Sequence, residues 1–316
     1  MTRRLAAGAA ALFLAACLAG CSDGGAQDRA QGAGGKGGPA PAAGASSAGA
    51  ADRTPQPRSD QGQEASQAPS AAASASASPV PPAGAADAPA GDGPLKGKVV
   101  VVDPGHNSRN NEHTAEINRQ VDIGTGHKEC DTTGTETNSG YTEAAFSLDV
   151  AHRLRSILRE RGATVVLTHD GDRPFGPCVT ERADIGNKAH GDAAVSIHAD
   201  GAGPGQRGFH VILPASVHGG AADTSAITGP SKELGARVAG KFLESTGSAP
   251  SNYIGEGTGL DTRGDLGGLN LSTIPKVFIE CGNMRDAQDA AQLTDETWRE
   301  KAAQGIANGI TDFLRG

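Results

Sequence analysis

The 316-residue chain reads as a single α/β domain: a mostly parallel, twisted sheet with helices on both faces. Three observations predict this. Apolar runs of strand length alternate with segments of helical periodicity from about residue 98 onward, the pattern of a parallel sheet covered on both sides. Three of those runs end on side chains able to bind a metal or move a proton: Val99-Val100-Val101-Val102-Asp103-Pro104-Gly105-His106, Ala194-Val195-Ser196-Ile197-His198 and Val277-Phe278-Ile279-Glu280. In an open α/β sheet the carboxyl ends of the strands are where sites are built. Finally, residues 22–94 are almost wholly Ala, Gly, Ser, Pro, Gln and Asp, so they cannot bury enough apolar surface to offset their chain entropy. The core therefore belongs to residues 95–316.

The elements follow in order. Residues 98–103 form a continuous apolar run, as for a strand buried on both faces. A long polar loop covers 107–141. Thr142 is placed to cap a helix running to about Arg161, with a stripe of Phe146, Val150, Leu154, Ile157 and Leu158, and Gly162 stops it. A strand is expected at 163–169, a short helix at 180–189, and strands at 193–198 and 208–213. Ser231 is expected to cap a helix striped by Leu234, Val238 and Phe242. A Gly-rich loop at 255–272 leads to the strand at 276–280. The last helix, from near Thr294, would bury Trp298, Ala302, Ile306, Ile310 and Phe313. No internal repeat or second module stands out.

The first 21 residues read as a targeting segment. Arg3-Arg4 precede an apolar stretch, 5–18, that is too short to span a bilayer comfortably. It ends in Leu18-Ala19-Gly20-Cys21, which resembles the lipobox of bacterial lipoproteins. On that reading Cys21 is lipidated and anchors the chain to the outer face of the membrane, two acyl chains being enough for stable attachment. An ordinary cleaved secretory signal is the alternative, with the protein released to the cell wall. Residues 22–94 would then be a disordered linker with a root-mean-square reach of about 50 Å. The net charge is −8 and no Lys/Arg block is present, which argues against nucleic acid as a partner.

Export places the remaining cysteines, Cys130, Cys178 and Cys281, where disulfides persist. Cys130 and Cys178 lie in polar, Gly-rich loops and form the natural pair, although three pairings are possible. Cys281 ends an apolar run and reads as a buried thiol.

His106 and His198 end two strands, and Glu143 opens the helix that follows the first. Helices following strands begin at the edge where the strands end, so His106, Glu143, His198 and Glu280 should share one rim. Two imidazoles and a carboxylate are the ligand set of hydrolytic zinc sites, which keep a position for water. A second carboxylate must move the water's proton to the leaving group, and Glu280 is the candidate. The other histidines read as surface or core residues, and no His-Glu-x-x-His motif is present.

Four segments resemble, in order, the motifs of the zinc-dependent N-acetylmuramoyl-L-alanine amidases, in their type 3 catalytic domain. They are Val101-Val102-Asp103-Pro104-Gly105-His106, Tyr141-Thr142-Glu143-Ala144-Ala145, Val195-Ser196-Ile197-His198-Ala199-Asp200 and Glu280-Cys281-Gly282-Asn283-Met284. The stretches around Arg182-Ala183-Asp184 to Asn187, and 269–275, also resemble the family. The resemblance implies one Zn2+ held by His106, Glu143 and His198, with Glu280 as general base and acid. It implies a peptidoglycan or muropeptide substrate, cut between the lactyl group of N-acetylmuramic acid and L-alanine. Arg263 is a candidate to hold a substrate carboxylate, or a solvated loop arginine. A zinc peptidase cutting within the stem peptide and a non-catalytic peptidoglycan-binding lipoprotein are the alternatives. A protein activator is not evident in the sequence. The 107–141 loop is longer than in many relatives; it would either control access to the cleft, tethered by Cys130 and Cys178, or be a stapled surface loop.

Overall fold

The computed structural model describes residue 84 and residues 86–316. The targeting segment, Cys21 and most of the Ala/Gly/Pro/Ser-rich stretch lie outside the described residues. In chain order the strands are β1 (Ala86–Asp87), β2 (Val99–Pro104), β3 (Gln120–Asp122), β4 (His127–Glu129), β5 (Thr164–Leu167), β6 (Ala193–Asp200), β7 (His210–Pro214), β8 (His218–Gly219), β9 (Ala222–Asp223), β10 (Leu260–Arg263) and β11 (Lys276–Asn283). The helices are α1 (Thr114–Ile117), α2 (Glu143–Glu160), α3 (Val179–Lys188), α4 (Thr228–Thr246), α5 (Gly267–Asn270), α6 (Ala287–Leu293) and α7 (Glu296–Arg315).

Seven strands form the central sheet in the order β1-β5-β2-β6-β11-β7-β10. The middle four, β5, β2, β6 and β11, are parallel; β7 pairs antiparallel with β11, and β1 antiparallel with β5. Alternation along the strands assigns the two faces. Val100, Val102, Val195, Ile197, Val277 and Ile279 enter the main core with the buried stripes of α2, α4 and α7. Val101, Val166 and Ala194 point the other way, to a thinner layer with Ile185 of α3 and Ile274. Asp103, Ser196, His198, Phe278 and Glu280 share the parity of this thinner face, and it opens into a cleft at the carboxyl ends of the strands.

Of the predicted helical stripes, Phe146, Val150, Leu154 and Leu158 on α2 and Trp298, Ala302, Ile306 and Ile310 on α7 are buried, whereas Ile157 and Phe313 are half-buried at the edge of the core. Thr142 caps α2, its Oγ1 accepting the Ala145 N–H at 3.3 Å. Four expectations need correction. The folded body begins before residue 95. Ala86 and Asp87 pair with Val166 and Val165, and the N–H groups of Ala90 and Gly91 both donate to the Arg159 carbonyl. These contacts are made by backbone, so composition carries no trace of them; the Ala86–Asp87 pairing covers the otherwise open edge of β5. Ser231 is not a cap. Helix α4 starts at Thr228, and Ser231 Oγ instead accepts the Lys276 N–H at 3.1 Å. The last helix starts at Glu296 behind an Asp295 cap, and the separate α6 precedes it. The 107–141 loop is not irregular throughout, since it carries α1 and the β3–β4 hairpin.

Candidate metal centre

The site starts from a turn under strain. β2 ends at Pro104, and His106 lies at φ +60°, a left-handed conformation that costs a non-glycine residue about 1–3 kcal/mol. Arg182, buried on α3, holds this turn from inside: it donates to the carbonyls of Pro104 and, at 3.0 Å, His106. Gly105 is needed here because a Cβ would sit 2.5 Å from His198 Cε1. The turn aims the His106 ring across the end of β6 toward α2.

Glu143 Oε1 then lies 3.0 Å from His106 Nε2 and 2.9 Å from His198 Nδ1. Donor atoms of all three residues fall within 4.8 Å of one another, the one such His/Glu cluster among the described residues. The far nitrogen of each ring is engaged elsewhere: His106 Nδ1 meets the Thr132 carbonyl at 3.1 Å, and His198 Nε2 meets Ser196 Oγ at 3.2 Å. A ring proton on each far nitrogen satisfies those contacts. The near nitrogens then direct lone pairs at a carboxylate oxygen, an arrangement that a bound cation would satisfy. Without an ion, the same carboxylates favour a second proton on the ring. Burial opposes a charged His106, yet Glu143 and Asp131 outweigh it and push its pKa up to about 10. Burial likewise opposes a charged Glu143, but the two imidazoles hold its carboxyl well below the usual carboxylate range. The residues therefore fit a metal ion.

The long loop closes over this trio. Thr135 N–H donates to Glu143 Oε2 at 2.9 Å, and the Thr135 carbonyl accepts the Glu143 N–H. Gly134, at φ +72°, passes so close that a Cβ would lie 2.7 Å from His106 Cδ2 and 2.8 Å from Glu143 Oε2. Cys130 and Cys178 are joined, fastening the loop to the N-terminus of α3, and Cys281 is a buried free thiol. The β3–β4 hairpin reaches the opposite side, where Lys128 Nζ meets Asp265 at 2.7 Å and Thr125 donates to the Gly264 carbonyl.

Glu280 lies within β11, just before the register shift that ends its regular pairing with β6, and is in register with His198 on β6 and His210 on β7. Its Oε2 is buried without a hydrogen-bond partner among the described residues. Burial, together with the charges of Glu143 and Asp200, raises its pKa well above the usual carboxylate range. His106, Glu143, His198, Glu280 and Arg263 all line one cleft of about 320 Å³. The four residues expected on one rim are thus brought together. Arg263 is there too, but Nε and Nη2 bind Asp265 at 2.8 and 2.7 Å, which leaves only part of its fork for another anion.

Sequence reasoning missed several contributors. Phe278 stacks on His198 with ring centroids 5.0 Å apart. Ser196 links His198 to the buried Asp103 carboxylate, 2.8 Å away. Asp103 also takes Arg182, Lys276 and Thr168. Tyr253 donates to Asp200 at 2.8 Å beside the cleft. The one available signal was parity: Ser196 and Phe278 each lie two residues before a site residue on the same strand. The two further motif stretches meet one another, since Asn187 donates to the Leu271 carbonyl and accepts the Thr273 N–H, both at 2.8 Å.

Residues 100–312 match the family model for N-acetylmuramoyl-L-alanine amidase. A relative, N-acetylmuramoyl-L-alanine amidase Rv3717 of Mycobacterium tuberculosis, is 40% identical over 222 residues, covering 70% of this chain and 88% of its own length. The solved amidase Ami1 from Mycobacterium smegmatis superimposes with a TM-score of 0.64 at 39% identity, over 70% of this chain and 98% of that one. The apo form of Ami1 from Mycobacterium abscessus gives the same score and identity, over 70% of this chain and all of the other. With the parallel sheet, the histidine–glutamate cluster and the order of the motifs in agreement, this chain belongs to the N-acetylmuramoyl-L-alanine amidase family.

Proposed function

We propose that the protein is a zinc-dependent hydrolase of the amide joining N-acetylmuramic acid to L-alanine in peptidoglycan. The observation that carries the reading is one cleft in which three lone-pair donors converge beside an unpartnered, buried Glu280 carboxyl. His106 Nε2, Glu143 and His198 Nδ1 would hold the ion. When bound, zinc supplies a Lewis acid for the amide carbonyl and lowers the pKa of a water molecule. Glu280 would take a proton from the attacking water and return it to the departing nitrogen, for which a carboxyl of raised pKa is suited. Phe278 and Ser196 keep the His198 ring from rotating, and Gly134 lets the loop backbone approach His106 and Glu143 closely. Arg263 would offer its remaining N–H groups to a stem-peptide carboxylate.

We further infer that the protein acts outside the cytoplasm, anchored through Cys21. The Leu18-Ala19-Gly20-Cys21 segment supports this, and no helix among the described residues is long and apolar enough to cross a membrane.

Digestion of N-acetylmuramoyl-tripeptide by the purified protein, with zinc and with a chelator, tests the reading. Free tripeptide that appears with zinc and disappears on chelation is expected in the mass spectrum. Cleavage at a bond inside the tripeptide would make it a stem-peptide peptidase. No cleavage with zinc bound would make it a binding protein.

A further inference from the structure

His169 is a buried titratable residue that the chemistry above does not use. It follows the end of β5, at the same carboxyl edge of the sheet as His106 and His198, and is 2% exposed. Its ring is engaged at both nitrogens. Nε2 lies 3.0 Å from the Pro104 carbonyl oxygen, and Nδ1 lies 3.3 Å from the Gly171 backbone nitrogen. A carbonyl only accepts and a backbone N–H only donates, so the ring proton sits on Nε2 and Nδ1 is unprotonated. Burial, with Arg182 nearby, lowers the pKa of His169 to about 4, which keeps the ring neutral at neutral pH.

The Pro104 carbonyl belongs to the turn that presents His106, and each peptide group of that turn is held from a different element. The Gly105 N–H donates to the Ile197 carbonyl of β6 at 2.9 Å. The Gly105 carbonyl accepts Ser147 Oγ of α2, the helix that carries Glu143, at 2.6 Å. The His106 carbonyl accepts Arg182 of α3 at 3.0 Å. His169 adds the β5 side, since it and Arg182 both donate to the Pro104 carbonyl. Arg182 divides its grip: the same Nη1 also binds Asp103, Nε goes to the Pro177 carbonyl and Nη2 to Asp131. With His106 at φ +60°, the turn keeps its shape only while surrounding groups over-determine it. Any rotation of the Pro104–Gly105 peptide plane turns the carbonyl away from His169 Nε2.

We propose that His169 is a positioning residue for the metal centre, its Nε2–H fixing the Pro104 carbonyl and so keeping His106 aimed at Glu143. This rests on the metal reading and adds a coupling to it. Without the bond, the folded chain is free to relax the turn before zinc arrives, and zinc binding has to restore it. A histidine that merely filled the core would stabilise the zinc-free and zinc-loaded folds alike and leave affinity unchanged.

The test is a chelator-competition titration of zinc on wild type, His169→Asn and His169→Gln, with the fold of each zinc-free protein checked by circular dichroism. The Asn amide oxygen replaces Nδ1 and takes the Gly171 N–H but leaves Pro104 out of reach, whereas the longer Gln amide can donate to Pro104. Loss of one neutral hydrogen bond should weaken zinc binding about fivefold in His169→Asn, and His169→Gln should stay within about twofold of wild type. An unchanged affinity in His169→Asn, a loss that His169→Gln does not rescue, or an Asn variant that does not fold would each overturn the positioning role. Nitrogen NMR of the wild type reads the tautomer directly, and a proton on Nδ1 would overturn the role whatever the variants do. A wild type that binds no zinc overturns the metal reading, and the role of His169 falls with it.

Discussion

Glu143 Oε1 faces two ring nitrogens and also accepts the Ala199 N–H at 3.3 Å, so its position is set from β6 as well as from its own helix. His198 is held in turn by Ser196 behind it and Phe278 against its face. Groups that orient a metal-binding imidazole typically contribute about 10–100-fold to affinity. Ser196→Ala is therefore expected to weaken zinc binding about tenfold in a chelator-competition titration; a change under about twofold would mean that Phe278 alone orients the ring. Glu280 contributes differently, since it is not part of the donor cluster. Glu280→Gln should lower kcat by about a thousandfold, as for loss of a general base, with zinc content unchanged by atomic absorption. Loss of zinc along with activity would assign Glu280 to the metal instead. His106, Glu143, His198 and Glu280 were legible because each ends an apolar run or opens a striped helix. Ser196 and Phe278 were not, because Ser196 acts by joining its strand neighbour His198 to the distant Asp103, and Phe278 reaches His198 from the adjacent strand.

Among the elements, α2 is the most legible: its cap, stripe and stop are local features, and all three appear where the sequence puts them. The loop at 107–141 is the least legible, because its hairpin docks on Gly264, Asp265 and Asn270, more than a hundred residues downstream. β1 is a third case. Two residues of Ala and Asp carry no strand signal, yet they cover the β5 edge by backbone pairing. Comparing a chain that starts at residue 84 with one that starts at residue 95 measures its worth. Removing a few backbone hydrogen bonds at about 0.5–1.5 kcal/mol each should lower the thermal midpoint by roughly 4–8 °C. Equal midpoints in calorimetry would show that the edge contributes nothing.

Across the whole molecule, one buried ionic cluster ties both site histidines to the sheet. Asp103 meets Arg182 and Lys276, each at 2.9 Å, and Arg182 continues to Asp131 at 3.0 Å. Burial works against the Asp103 charge, but Lys276 and Arg182 prevail and hold its carboxyl well below the usual range; Asp131 is held low against burial by Arg182 and His106. The folded state therefore binds these protons less readily than the unfolded chain, so unfolding takes up protons in acid. This stability is fully present above the ordinary aspartate value of 3.8 and drains as pH falls below it. Urea unfolding at neutral pH and at about pH 3 should show the loss. Asp103→Asn, which strands two buried cations, should cost about 3–5 kcal/mol at neutral pH and flatten the acid slope. An unchanged slope would remove Asp103 from the acid response.

The sequence by itself determined the α/β class, the helical stripes, the four chemistry-bearing residues at strand ends and helix start, and the family. All of these are written in local periodicity or contiguous motifs, where neighbours in the chain are neighbours in the element. Only the tertiary structure decided that β7 runs antiparallel beside β11, that the backbone of Ala86 and Asp87 closes the sheet edge, and that Gly134 caps the histidine–glutamate cluster. It also decided that Arg263 is largely occupied by Asp265. Those outcomes depend on backbone hydrogen bonds and close approaches between distant segments, which side-chain pattern does not encode.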